Sequence, residues 1–521
     1  MHNYRGFIDM KKFLYSFIFL SMTVLFFPAC ENEDRADSLS TSLTVLVKSG
    51  ESDLFPVAYD RYRHDTRTLP IGVFDSGIGG LTVLAEILSH DRFNNVTHES
   101  GPDGIPDFEN ERFIYLGDQA NMPYGNYSSE NKTEFLRELI IKDAVFLLGN
   151  RYWLSGSADS PRYDKPPVKA IVIACNTATA YGIDHIRAAL EQWELPVHVI
   201  GVVEAGAEGG VAVIENNGEG ALAVMATVGT CSSEGYVRAV EKSSVRAGIP
   251  IPQVIQQGCL GLAGAIEGDA TYISPESKRR KEYKGPSVDN PLAPIHTELL
   301  GQYSFNPEGL SGDTDDPASW QINSVNNYIR YHTAELVERY RKAGGIVPIR
   351  AVILGCTHFP FHSDKIAASF SHLRAFTESD GTSPYSGIIA ADISFIDPAA
   401  LTASRLYEAL IRRNLLLTPE ESPVIAVNEF FISVPNRSNT EAEYSGDGTF
   451  SYAYKYGRNP SDLSIEFVRR VPMSQKNIST SIAANIRKTM PVVWEHLVRF
   501  NTISPRCGDL PDSAKMITPG R

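Results

Sequence analysis

Two short stretches carry the residues best suited to chemistry. "IVIACNTATA", residues 171–180, runs from a strand-like apolar stretch into a bare thiol, an amide and a hydroxyl, and "AVILGCTHFP", residues 351–360, repeats the idea. Ile171-Val172-Ile173-Ala174 reads as a fully buried strand and Thr177-Ala178-Thr179-Ala180 as the opening of a helix. Cys175 then stands at a strand-to-helix junction, where backbone N–H groups and the helix dipole favour a thiolate. Cys356 likewise follows a strand and precedes a hydroxyl, that of Thr357. The other cysteines are Cys30, Cys231, Cys259 and Cys507. None of the six makes a C-x-x-C pair, so zinc and dithiol-redox motifs find no support and no metal is expected. Leaving out Cys30, an odd five remain, a poor count for a disulfide framework. Cys231, Cys259 and Cys507 read as small buried hydrophobes.

The elements that must hold these thiols follow an α/β pattern. From residue 70, strand-like runs alternate with helical ones: "PIGVFDSGIGG" is strand, glycine turn and helix start, "RFIYLGD" a strand, "VKAIVIACN" a strand and "PVHVIGVV" another. A second set follows in "ALAVMATVG", "IPQVIQQGCLG" and "RAVILGCTH". The expected fold is α/β, two similar doubly wound halves with mainly parallel sheets facing a central cleft. The first half is expected over 70–200 and the second over 201–385, with a Pro/Ser/Asp-rich surface insertion at about 269–324. Residues 386–415 should return to the first half. Residues 416–521 are read as a C-terminal extension with strand-like "EFFISV" and "FSYAYKY", then a helical stretch broken near Pro491.

Composition narrows the function class. At 521 residues the chain is long enough for two or three domains, and 43% hydrophobic with 21% charged residues is ordinary for a soluble globular protein. The net charge of −14 argues against a nucleic-acid binder. The basic run "SKRRKEYK", 277–284, reads as a solvated loop. At the N-terminus, Lys11-Lys12, an apolar run from Phe13 to Phe27, and "PAC" ending at Cys30 make a secretory signal. The Cys after Ala29 resembles the lipobox of bacterial lipoproteins, although Phe27 and Pro28 depart from its usual residues. Residues 1–30 are thus expected to be a lipoprotein-type signal, lipidated at Cys30, and 31–69 a tether. The expected location is the outer side of a membrane, or the cytoplasm where the signal is not used.

Taken together, "IGVFDSGIGGLTVL", "DQANMPYGNYS", "ACNTATAYG", "VMATVGTCSSEGY", "GCLGLAGAIEG" and "GCTHFPF" resemble the glutamate racemase family, the cofactor-independent two-cysteine racemases. The resemblance spans about 70–268 and 330–415. It implies glutamate as substrate, no cofactor, and a link to D-glutamate supply for peptidoglycan; a homodimer is left open. Inverting a carbon centre without a cofactor takes a base on each face, one a thiolate and the other a thiol. By resemblance, Cys175 and Cys356 are those bases, Asp75 supports Cys175, and His358 and Glu267 serve Cys356. Ser76, Asn176, Thr177 and Thr357, with Asp75 and His358, would hold the amino-acid head group. The backbone of Tyr124 and Gly125 would meet the side-chain carboxylate.

Three other readings make different demands. A class I glutaminase would use one cysteine and leave the second idle. A cysteine phosphatase needs an Arg closing its phosphate loop, and none follows Cys175 at that distance. A non-catalytic exported lipoprotein that keeps the fold to bind an acidic amino acid has no use for both thiols. Aspartate racemases share the two-cysteine logic, but the "PYG" and "CNTAT" blocks stand closer to glutamate.

Overall fold

The computed structural model describes residues 41–274, 279–313, 315–421, 427–446 and 448–516, and its strands fall into two main sheets. In the first, β1 (Ile71–Asp75), β2 (Phe113–Gly117), β3 (Ala170–Ile173) and β4 (His198–Gly201) run parallel in the order β2-β1-β3-β4. The second opens with β5 (Ala221–Ala226) and β6 (Val254–Gly258). A short antiparallel pair, β7 (Leu310–Ser311) and β8 (Gln321–Ile322), stands apart from both. With β9 (Ile349–Gly355) and β10 (Ile389–Ile396) the second sheet is complete as β10-β9-β5-β6, again all parallel. β1, β2, β3 and β5 are buried along their whole lengths. This is why they read as unbroken apolar runs instead of alternating ones: helices cover both faces of such sheets.

Each sheet has a point where the winding reverses. In the first, the chain moves from β1 outward to β2 and then crosses to β3 on the other side of β1. In the second, it moves from β5 to β6 and returns to β9 beside β5. Loops leaving neighbouring strands in opposite directions open a crevice at their carboxyl ends. Cys175 follows β3 and Cys356 follows β9, so each thiol sits at such a reversal.

Several expectations give way to packing. Residues 41–69 are no simple tether: Thr41 caps the helix Ser42–Ser49, which buries Leu43, Thr44 and Val47 and receives Trp193 Nε1–H on Thr44 O at 2.9 Å. Leu43 and Val47, four residues apart, share one helical face. The return to the first half starts later than 386, because β10 pairs with β9; the helix Pro398–Arg412 is the segment that joins the first core. The C-terminal residues are no appendage. β11 (Glu429–Pro435) pairs parallel with β2, and β12 (Val468–Pro472) closes that edge antiparallel, giving six strands as β12-β11-β2-β1-β3-β4.

"FSYAYKY" is a helix over Tyr452–Gly457: Ser451 accepts the Tyr454 N–H as its cap, and Tyr452 and Tyr456 meet at 4.6 Å between ring centroids. The helix break expected near Pro491 stands between Thr480–Thr489 and Pro491–Ile503. In the basic run, Arg280 is not merely solvated; it donates to Ala270 O, Tyr272 O and Ile322 O. Cys30 and the rest of 1–40 lie outside the described residues.

Candidate active site

Cys175 is the N-cap of the helix Asn176–Gln192, and its Sγ accepts the Ala178 N–H at 3.4 Å. That is the place of a capping oxygen in an ordinary helix, taken here by sulfur. Ser76 Oγ, on the turn after β1, lies 3.7 Å from the same Sγ. Burial pushes the Cys175 thiol up, the Asp75 charge adds to the rise, and the Ala178 N–H and Ser76 oppose it. The expected thiolate is therefore not favoured here. Desolvation opposes what the helix N-terminus alone would favour and pushes Cys175 toward the protonated thiol.

Cys356 has different company. It leads into a turn closed by Phe359 N–H on Cys356 O at 3.0 Å, and its Sγ lies 3.5 Å from His358 Nδ1. The other ring nitrogen, Nε2, is 2.6 Å from Glu267 Oε1. Burial alone would favour a neutral ring, but the Glu267 charge and the hydrogen bonds to Cys356 and Glu267 raise His358 well above the usual imidazole value. A protonated ring has an N–H for each of these neighbours.

Ser76, Tyr124, Gly125, Cys175, Asn176, Thr177, Glu267, Cys356, Thr357 and His358 all line one cavity. Asp75 does not. Its Oδ2 accepts the N–H groups of Gly77 and Gly80 at 3.1 and 3.0 Å, which ties up the "DSGIGG" turn, and no hydrogen bond joins it to Cys175 among the described residues. Burial raises the Asp75 carboxyl, against the pull of His358 and the two glycine N–H groups. Gly79 of that turn lets the halves approach: a Cβ there would stand 2.6 Å from Thr357 Oγ1 and 2.8 Å from His358 Cε1. Asn176 Oδ1 accepts the Tyr236 hydroxyl at 2.6 Å, while Thr177 Oγ1 is 3.0 Å from both Thr227 Oγ1 and Thr230 Oγ1.

Motif reading missed Thr227, Met122, Pro123, Ala263, Gly264 and Asp269, which also line the cavity. Thr227 had a signal, since it directly follows β5 at a winding reversal. Met122 and Pro123 stand in a turn whose cavity-facing groups no spacing announces. Tyr124 turns its hydroxyl away into a buried network, 2.6 Å from Asp118 Oδ2 and 2.7 Å from Asp143 Oδ2.

No family model matches the sequence. Among curated proteins, the glutamate racemase of Enterococcus faecalis is 37% identical over 275 residues, which span 51% of this chain and 82% of that protein. The chain belongs to the glutamate racemase family. The glutamate racemase of Staphylococcus epidermidis is 30% identical over 310 residues, 60% of this chain and 76% of its own. Among solved structures, a glutamate racemase isoform from Bacillus anthracis covers 70% of this chain and 89% of its own, at 22% identity and a TM-score of 0.40. One from Francisella tularensis covers 70% and 88%, at 23% and 0.38. Family membership makes the chain an amino-acid racemase by kind, an isomerase. The match to the Enterococcus relative leaves nearly half of this chain without a counterpart.

Proposed function

We propose that this protein interconverts the enantiomers of glutamate, with Cys175 and Cys356 as the acid–base pair. The observation that carries the reading is that two thiols from different sheets line one cavity in unlike electrostatic settings. In one direction Cys356 Sγ, steadied by the His358 Nδ1–H, takes the Cα proton. An S–H bond forms, the Cα–H bond breaks, and its electron pair spreads from Cα toward the α-carboxylate. The Cys175 thiol gives its proton to the opposite face and is left as the thiolate. The reverse direction exchanges the roles, so one thiol and one thiolate stand before and after each turnover.

Asn176, Thr177 and Thr357 suit the head group, and the backbone of Tyr124 and Gly125 the side-chain carboxylate. Asp75 acts through the turn it holds and through its charge. We also assign residues 1–30 to export with lipidation at Cys30, and the product to peptidoglycan D-glutamate supply.

The test is Cα–H exchange in deuterated water, followed by NMR for each enantiomer of glutamate and of aspartate. Both glutamate enantiomers should gain deuterium and converge to a racemate. Cys175→Ala and Cys356→Ala should each abolish racemisation, because each removes the base on one face. Exchange with aspartate alone, or undiminished racemisation in either variant, would sink the assignment.

A further inference from the structure

The two parts of the chain that lie outside the family-like motifs, the 269–324 insertion and the segment after 416, converge on the cavity. From the insertion, Tyr272 packs its ring on the helix Leu262–Glu267, which carries Glu267. A Cβ at Gly264 would stand 2.4 Å from that ring, so only glycine allows the contact. From the C-terminal side, the helix Tyr452–Gly457 and the residue after it grip the turn that forms another wall. Lys455 Nζ donates to Met122 O at 2.6 Å, the Tyr456 hydroxyl to Pro123 O at 3.2 Å, and Arg458 Nη2 to Asn121 Oδ1 at 2.7 Å.

The two parts then touch each other. Lys284 Nζ sits 3.0 Å from the centroid of the Tyr452 ring, and the Tyr452 hydroxyl donates to Glu130 Oε1 at 2.6 Å. The Asn126 amide lies beside the hydroxyls of both Tyr272 and Tyr456. Gly125, which lines the cavity, directly precedes Asn126.

The cavity itself is about 50 Å³. Cys175 and Cys356, both on its wall, are only 6% and 5% exposed. The cleft has to widen to admit a substrate. A contact that joins the second half, through the insertion, to the first half, through the C-terminal helix, has to part or stretch when it does.

We propose that Lys284 and Tyr452 form a latch across the mouth of the cleft. The insertion's ammonium rests on the face of the C-terminal segment's phenol, and Glu130 accepts that phenol's hydroxyl. A cation over an aromatic face holds the two together while leaving them separable, unlike a buried apolar seam. Lys284 and Tyr452 are thus positioning residues: they touch no substrate and act by setting how often the cleft opens. The latch rests on the racemase reading only for what enters.

The experiment follows cleft opening without turnover. Purified full-length protein is treated with iodoacetamide, and the alkylation rate of each cysteine is mapped by mass spectrometry. Cys231, which does not line the cavity, serves as the internal reference. Lys284→Ala and Tyr452→Leu should each alkylate Cys175 and Cys356 about three- to tenfold faster than the parent, with the Cys231 rate unchanged. The double variant should be no faster than either single one, since both break one contact. Lys284→Arg, which keeps a cation over the ring, should restore the parent rate. Unchanged rates at Cys175 and Cys356 would overturn the latch, as would a parallel rise at Cys231. A parent protein that alkylates as expected but fails to racemise glutamate would count against the substrate and not against the latch.

Discussion

Charge next to each sulfur is what separates two otherwise similar thiols. Cys175 has the Asp75 charge within reach, whereas Cys356 is backed by an imidazole that Glu267 helps keep protonated. Glu267→Gln keeps the shape and an acceptor oxygen but drops the charge, so His358 should titrate lower. Each unit of that fall is about tenfold in the share of protonated ring once pH exceeds the new value. We expect kcat/KM to fall about tenfold or more at pH 8 and much less at pH 6, read from a pH–rate profile. A loss that is uniform across this range would argue that Glu267 acts only by packing. His358 itself leaves a mark on stability. Its pKa is raised in the fold, so the stabilisation from its proton is complete below the unfolded value near 6.5 and is lost as pH rises through the folded value. The denaturation midpoint of His358→Gln should therefore fall less steeply above neutrality than that of the parent.

At the scale of elements, the strands that carry the site were legible because burial on both faces writes them as apolar runs, and the thiols, Thr227 and His358 all lie just beyond strand ends. The C-terminal segment was harder to read. Whether a strand joins an existing sheet depends on the free edge waiting for it, here β2, and no local pattern in "EFFISV" records that edge. The aromatic spacing of Phe450, Tyr452 and Tyr454 imitates a strand, yet the Ser451 cap and the Tyr452–Tyr456 contact make a helix. Asp75 stands in the block the motif marks, and motif reading could not show that one of its carboxylate oxygens, Oδ2, is taken up by Gly77 and Gly80. The integration of β11 has a measurable cost attached. Phe431 is fully buried among the rings of Phe146, Tyr152 and Phe500, at centroid separations of 5.3, 5.5 and 5.9 Å. Phe431→Ala should lower unfolding stability by about 3–5 kcal/mol in chemical denaturation. A loss below about 1 kcal/mol, the size of a surface change, would mean that the segment after 416 is dispensable to the first core.

For the whole molecule, the proposed export sets a condition on the chemistry. No helix among the described residues is long and apolar enough to cross a membrane. The proposed reading puts attachment on the first thirty residues. Export would carry Cys175, Cys231, Cys259, Cys356 and Cys507 into an oxidising compartment, and all five are free thiols in the structure. Racemisation survives there only if the catalytic pair stays unbridged. A disulfide needs Cα atoms within about 7 Å, whereas two bases that flank one substrate carbon from opposite faces must stand further apart. The separation that such chemistry demands thus works against a bridge between the two. In cell envelopes, Cys175 and Cys356 should both remain open to a mass-tagged alkylating agent, glutamate should slow their labelling by filling the cleft, and Cys30→Ala should move the protein out of the membrane fraction. Peptide mapping and fractionation read all three. A Cys175–Cys356 disulfide, or soluble cytoplasmic protein that retains residues 1–29, would defeat the exported reading while leaving the racemase site to be judged by exchange at Cα.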